Sequence, residues 1–133
     1  MIKFKATLNN SLLNLLESTI GTAPKLRILT GAPEATPETA QAGTQIVQIT
    51  LPSDWMSNAN ANLKAKSGIW AGKATAAGTA GHFRILNSAA TVCYMLGSIT
   101  ETGGGGDITM ADPVILLDKW VVIDQFDFTG LNI

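Results

Sequence analysis

Apolar and polar residues follow two different periods along this chain. In NNSLLNLLESTIG, from Asn9 to Gly21, Leu12, Leu13, Leu16 and Ile20 recur at the spacing of one helix face. Asn9 or Asn10 is placed to cap the first turn, because a short polar side chain accepts a hydrogen bond from its free amides. Gly21 stands where a left-handed C-terminal residue is needed, and Pro24 stops any continuation. So short a helix is marginal alone and must dock its leucines on a neighbour.

Beyond Gly21 the period drops towards two. KLRILTG is a short apolar run closed by glycine, and GAPEATPETAQAG, with Pro33, Pro37 and Gly43, reads as an exposed loop. TQIVQITLP sets Val47, Ile49 and Leu51 against Ile46, Gln48 and Thr50, a strand ended by Pro52. IWAGKATAAG, AGHFRILN and TVCYMLGSIT are three more strand-like runs, and PVILLDKWVVIDQFDFTG supplies one or two long ones. SDWMSNANANLKAKSG has no clean period, and Trp55 within it is placed to anchor a crossover. Val121 and Ile123 differ in parity from Phe126 and Phe128, which predicts a β-bulge near Asp124 and Gln125.

These elements predict about seven short strands after an N-terminal helix, with no helices between strands. The fold class is mainly β: a jelly-roll-like antiparallel β-sandwich or small barrel with a short N-terminal helix. Residues 1–21 form the N-terminal arm and helix and residues 22–133 the β-sandwich, one structural domain overall.

Composition sharpens this picture at two points. Charged residues are only 14% of the 133 positions, well below the roughly 25% usual in soluble domains. So few charges give little protection against association, which is most simply explained if much of the surface is covered in an assembly. The net charge is −1 with no basic cluster, which argues against direct binding to nucleic acid. No apolar run reaches the roughly 20 residues that span a bilayer, and MIKFKATLNN has no signal-type apolar core, so no membrane role is expected.

The candidate chemistry is thin. Cys93, the only cysteine, excludes an internal disulfide and reads as a small core hydrophobe. His82, the only histidine, alternates with Phe83 and Ile85 and shares its strand face with Arg84, so it is expected to point outward, to solvent or to an interface. TETGGGGDIT lacks the Lys-Ser/Thr ending of a phosphate loop and reads as a flexible connection. Asp118, Asp124 and Asp127 alternate with apolar residues, as on a solvated strand face. Trp55, Trp70 and Trp120 suit a core or an interface equally, with at least one expected in the core. No catalytic residue, metal ligand or cofactor is expected.

The order of segments is similar to that of small virion structural proteins of tailed bacteriophages. The matching residues are Leu26, Ile28, Thr30, Gly31 and Pro33, then Gly78 to Gly81 with Phe83, Arg84 and Ile85, and finally Phe126, Phe128 and Thr129. Within that group the nearest role is a capsid cement or decoration protein. The resemblance implies a non-enzymatic jelly-roll-like protein on the outer capsid surface of the virion, made in the host bacterial cytoplasm. Its implied partners are the major capsid protein and further copies of itself, as a dimer or trimer. The anchors expected for docking are Ile2, Phe4, Leu12, Leu13, Leu16 and Trp55. A head–tail or tail component fits the same segments. A β-sandwich carbohydrate-binding module, or an enzyme built around His82, are the competing classes.

Overall fold

The computed structural model describes residues 1–130; the end of the expected β-domain, 131–133, lies outside the described residues. It is mainly β, with 40% strand and 12% helix, and its principal sheet curls into a half-barrel. That agrees with the small sandwich or barrel read from the sequence.

Helix α1 (Ala6–Ile20) begins earlier than expected, at an N-cap Lys5 that gives no side-chain cap. Asn9 therefore lies inside the helix, fully buried, and Asn10 accepts a bond from the Asn62 amide instead of capping. The C-terminus is as read: Gly21 adopts φ 94° and its amide bonds the Glu17 carbonyl.

Strands β1 (Lys25–Thr30) and β2 (Gln45–Thr50) pair antiparallel. Ile28 faces Val47 but Leu29 faces Gln45, so Ile46 is an extra residue on β2. This bulge explains why Ile46 and Val47 are both buried where strict alternation placed them on opposite sides. Strands β3 (Leu63–Ala65) and β4 (Trp70–Lys73) follow, β3 arising from the segment that showed no period. Strand β5 (Gly78–Leu86) lies between β1 and β6 (Cys93–Glu101), and β7 (Ile108–Met110) closes the order β2-β1-β5-β6-β7. Strand β8 (Val114–Ile115) also pairs with β5.

The β6–β7 pair is parallel, which ordinarily demands a long crossover. Here the short 102–107 connection turns back on itself, with Gly103 and Gly105 at positive φ. Thr100 Oγ1 accepts from the Gly106 amide, and the Asp107 carboxylate accepts from the Ser98 amide and hydroxyl. The glycine run expected as a flexible connection is thus tied to β6 at both Thr100 and Ser98.

At the C-terminal end, β9 (Trp120–Ile123) pairs with β4, and β10 (Asp127–Thr129) pairs with β3. The parity change is real, since Val121, Ile123 and Phe126 are all buried. Its cause is not a bulge in one strand: the chain leaves the ladder at 124–126 and changes partner.

The core gathers residues from nearly every strand, and an aromatic chain runs through it. Trp55 and Trp70 lie 6.0 Å apart between ring centroids, Trp70 and Phe126 5.3 Å, and Phe126 and Phe83 5.7 Å, edge to face. Each buried indole N–H finds a carbonyl, Trp55 on Gly21 and Trp70 on Ser67.

Helix α1 docks through polar groups as much as through leucine. Lys64 of β3 is fully buried, 2.7 Å from the Glu17 carboxylate, and also donates to Asn14 Oδ1 and the Ser57 carbonyl at 2.9 Å each. Asn14 Oδ1 accepts from the Ala59 amide as well. Leu13 and Ile20 are the helix residues that enter the core side.

Candidate functional site

His82 does not reach solvent, contrary to the outward placement expected from its alternation. It does sit on the strand face opposite Phe83 and Ile85, but the 31–44 loop folds across that face and encloses it. A bulge prepares the crossing. Leu29 faces His82 and Thr30 faces Ala80, leaving Gly81 as the extra residue, with the Gly31 carbonyl directly against it.

The imidazole is at 0% exposure, with Nδ1 2.9 Å from the Gly31 carbonyl and Nε2 3.2 Å from Glu34 Oε1. Each ring nitrogen thus meets an oxygen supplied by the 31–44 loop. The other Glu34 oxygen lies 3.1 Å from Arg84 Nη1, and Arg84 Nη2 donates to the carbonyls of Pro37 and Thr39. Burial pushes the Glu34 carboxyl up, but the Ala42 amide, its own amide and His82 together outweigh that and hold it down at about 2. The cluster fastens the loop to the sheet, and each ring nitrogen of His82 is already engaged.

Beside this fastening lies a cleft of about 530 Å³ lined by Arg27, Arg84, Cys93 and Tyr94. Cys93 is half-buried there with its thiol directed to the Met95 carbonyl, and burial pushes that thiol's pKa up, away from nucleophilic character. Among the described residues no group of three or more His, Cys, Asp or Glu side chains is placed to hold a metal ion. Asp118, Asp124 and Asp127 are exposed, as a solvated face requires.

The surface is more informative than any cleft. Of the residues expected at an interface, Ile2, Leu12 and Leu16 are exposed and Phe4 is half-buried. Leu13 and Trp55 are corrected: both are buried within the chain's own core, Trp55 completely. Adjacent helical positions lie about 100° apart, and here the body covers the side of α1 that carries Leu13 and leaves the side with Leu12 outside. Once Asn9, Leu13 and Glu17 turn to the body, Leu8, Leu12, Leu15 and Leu16 form an exposed ridge. The spacing of Leu8, Leu12 and Leu15 carries this ridge in the sequence, and only the docked body shows that it is the outer face. Between this ridge and β6 runs an apolar groove of about 350 Å³, lined by Leu12, Leu15, Leu16, Tyr94 and Met95.

A second apolar surface covers the outside of the β4–β9 ribbon. Val122 is paired with Ala71 and Trp120 with Lys73, so these side chains share the outer face, and Trp120 is 65% exposed. Ile69, Leu116 and Leu117 are also exposed nearby in sequence. The alternation of WVVI carried this signal, but parity alone did not say which side was out. The exposed Trp120 and Tyr94 line separate clefts rather than one aromatic row. Comparison with protein-family models, curated proteins and solved structures returns no match for the chain.

Proposed function

We propose that this chain is a non-enzymatic structural protein of a tailed-phage virion, a cement or decoration protein bound to the outside of the major capsid shell. The observation that carries the reading is the exposed leucine ridge of α1, Leu8, Leu12, Leu15 and Leu16, on a chain with few charges. Contiguous apolar surface rimmed by polar groups marks a place where another protein sits. The ridge stands on a helix fixed to the body by Lys64, Glu17 and Asn14, so it is presented in one orientation. The resemblance of segment order to small virion proteins supplies the partner class.

The mechanism is mass action. A protein that binds only the assembled shell stabilises it by RT ln(1 + [L]/Kd) at each site. Bridging neighbouring major capsid subunits at many sites then resists the outward load of the packaged genome.

The test uses particles purified without this chain. The full chain is expected to co-sediment with them and raise their resistance to heat, and negative-stain images are expected to show it at regular sites on the shell. The Leu12→Glu/Leu16→Glu variant, altered only at exposed positions, is expected to lose binding while folding normally. Failure of the parent chain to bind shells, or density confined to the head–tail junction or tail, overturns the capsid-surface assignment.

A further inference from the structure

The half-barrel has an open seam between two strand edges. Among the described residues β7 pairs only with β6, and β9 pairs only with β4. Between their free edges lies a cleft of about 480 Å³, with Ile115 and Val121 buried beneath it and Met110, Trp120 and Val122 along it. Asp112 and Asp124 stand among its lining residues, with Lys119 at the Trp120 end.

An unpaired strand edge offers a row of free N–H and C=O groups to another chain. Proteins usually blunt such edges with a charge, a proline or a bulge in mid-strand. Trp120-Val121-Val122-Ile123 has none of these, and its outward side chains are a tryptophan and a valine. An edge of this kind takes an extended segment as an added strand, with main-chain bonds giving affinity and alternate side chains giving register.

The chain contains a segment of matching pattern. Met1–Lys5 precedes α1 outside any regular element, and Lys5 is extended at φ −67°, ψ 139°. Ile2 and Phe4 alternate with Lys3 and Lys5, giving one apolar and one basic edge. Ile2 is 75% exposed in the isolated chain, and no residue of the segment lines the cleft of its own chain. Seated in the cleft, Ile2 and Phe4 would cover Ile115, Met110 and Val122, and Lys3 and Lys5 would lie towards Asp112 and Asp124.

We infer that the β7–β9 seam binds the Met1–Lys5 segment of a second copy of this chain, so that copies join by exchanging arms. Such a contact joins two different surfaces, so it ends in a reciprocal dimer or a small ring where the rotation closes and extends as a filament where it does not. It concerns the isolated chain, so its fate is separate from that of the capsid assignment.

Sedimentation velocity on the full chain reads this directly. The parent is expected to associate with rising concentration. Ile2→Asp/Phe4→Asp, which disables the arm, and Trp120→Lys/Val122→Lys, which disables the seam, are each expected to sediment as monomers with unchanged circular dichroism. An equal mixture of the two variants is expected to associate again, because the seam variant's arm fits the arm variant's seam. A free MIKFK peptide is expected to dissociate the parent assembly. The inference is overturned by a parent that stays monomeric up to about 100 μM, by an arm variant that associates like the parent, or by a mixture that remains monomeric.

Discussion

One carboxylate oxygen of Glu34 lies 3.2 Å from Nε2 of His82, although 48 residues separate the two in sequence. The other oxygen lies 3.1 Å from Arg84 Nη1, so a single buried carboxylate meets His82 and Arg84, on two alternate positions of β5. Glu34→Gln leaves the buried Arg84 guanidinium without its counter-ion, and the loss of a partner from such a site costs about 3–5 kcal/mol. The folded carboxyl is held at about 2, below its ordinary 4.5. Its contribution is therefore complete above pH 4.5 and disappears as pH falls from there through about 2. Urea unfolding of parent and Glu34→Gln across pH 2–7 checks this: the gap between them is expected to be widest near neutrality and to narrow in acid.

Gly81 has a more local burden. A Cβ at that position would run into the Gly31 carbonyl, the same carbonyl that holds His82 Nδ1. Gly81→Ala is expected to cost about 1–3 kcal/mol through this overpacking. It should also loosen the 31–44 loop, read as faster hydrogen exchange there than in β6. Equal exchange in both regions would mean that the loop is held independently of the bulge.

The three tryptophans separate cleanly by environment. Trp55→Ala removes a side chain at 0% exposure, an indole bond to Gly21 and a ring contact with Trp70, so a loss of about 3–5 kcal/mol is expected. Trp120→Ala removes an exposed side chain and is expected to change the stability of the monomer by no more than about 0.5 kcal/mol. Thermal unfolding at low protein concentration distinguishes the two.

Lys64 decides whether α1 stays on the body. Lys64→Ala strands the Glu17 carboxylate and removes a donor from Asn14 and from the Ser57 carbonyl. Because Glu17 keeps some solvent access, a loss of about 3 kcal/mol is expected, at the lower end for a broken buried pair. Amide exchange is expected to rise most within Ala6–Ile20. A uniform rise over the whole chain would indicate that helix and β-body unfold as one unit.

The sequence by itself determined what depends on neighbours along the chain. Gly21 and Pro24 end the helix, the alternation of Phe83 and Ile85 places one face of β5 in the core, and the opposite parities of Ile123 and Phe126 mark a break. Those features arise from backbone conformation and side-chain period, which act over a few residues. Tertiary structure decided what depends on partners far away. His82 and Arg84 read as an outward face, yet a loop recognisable only as polar and proline-containing supplies Glu34 and carbonyls that enclose them. Asn9 read as a helix cap and Leu12 and Leu16 as the docking face, yet Asn9 is buried, Lys64 and the Ala59 amide hold Asn14 and Glu17 to the body, and Leu12 and Leu16 stay outside. Apolar burial favours any dry contact, so its period can be read locally. A buried polar group is tolerable only when a specific donor or acceptor meets it, and the fold alone brings that partner within reach.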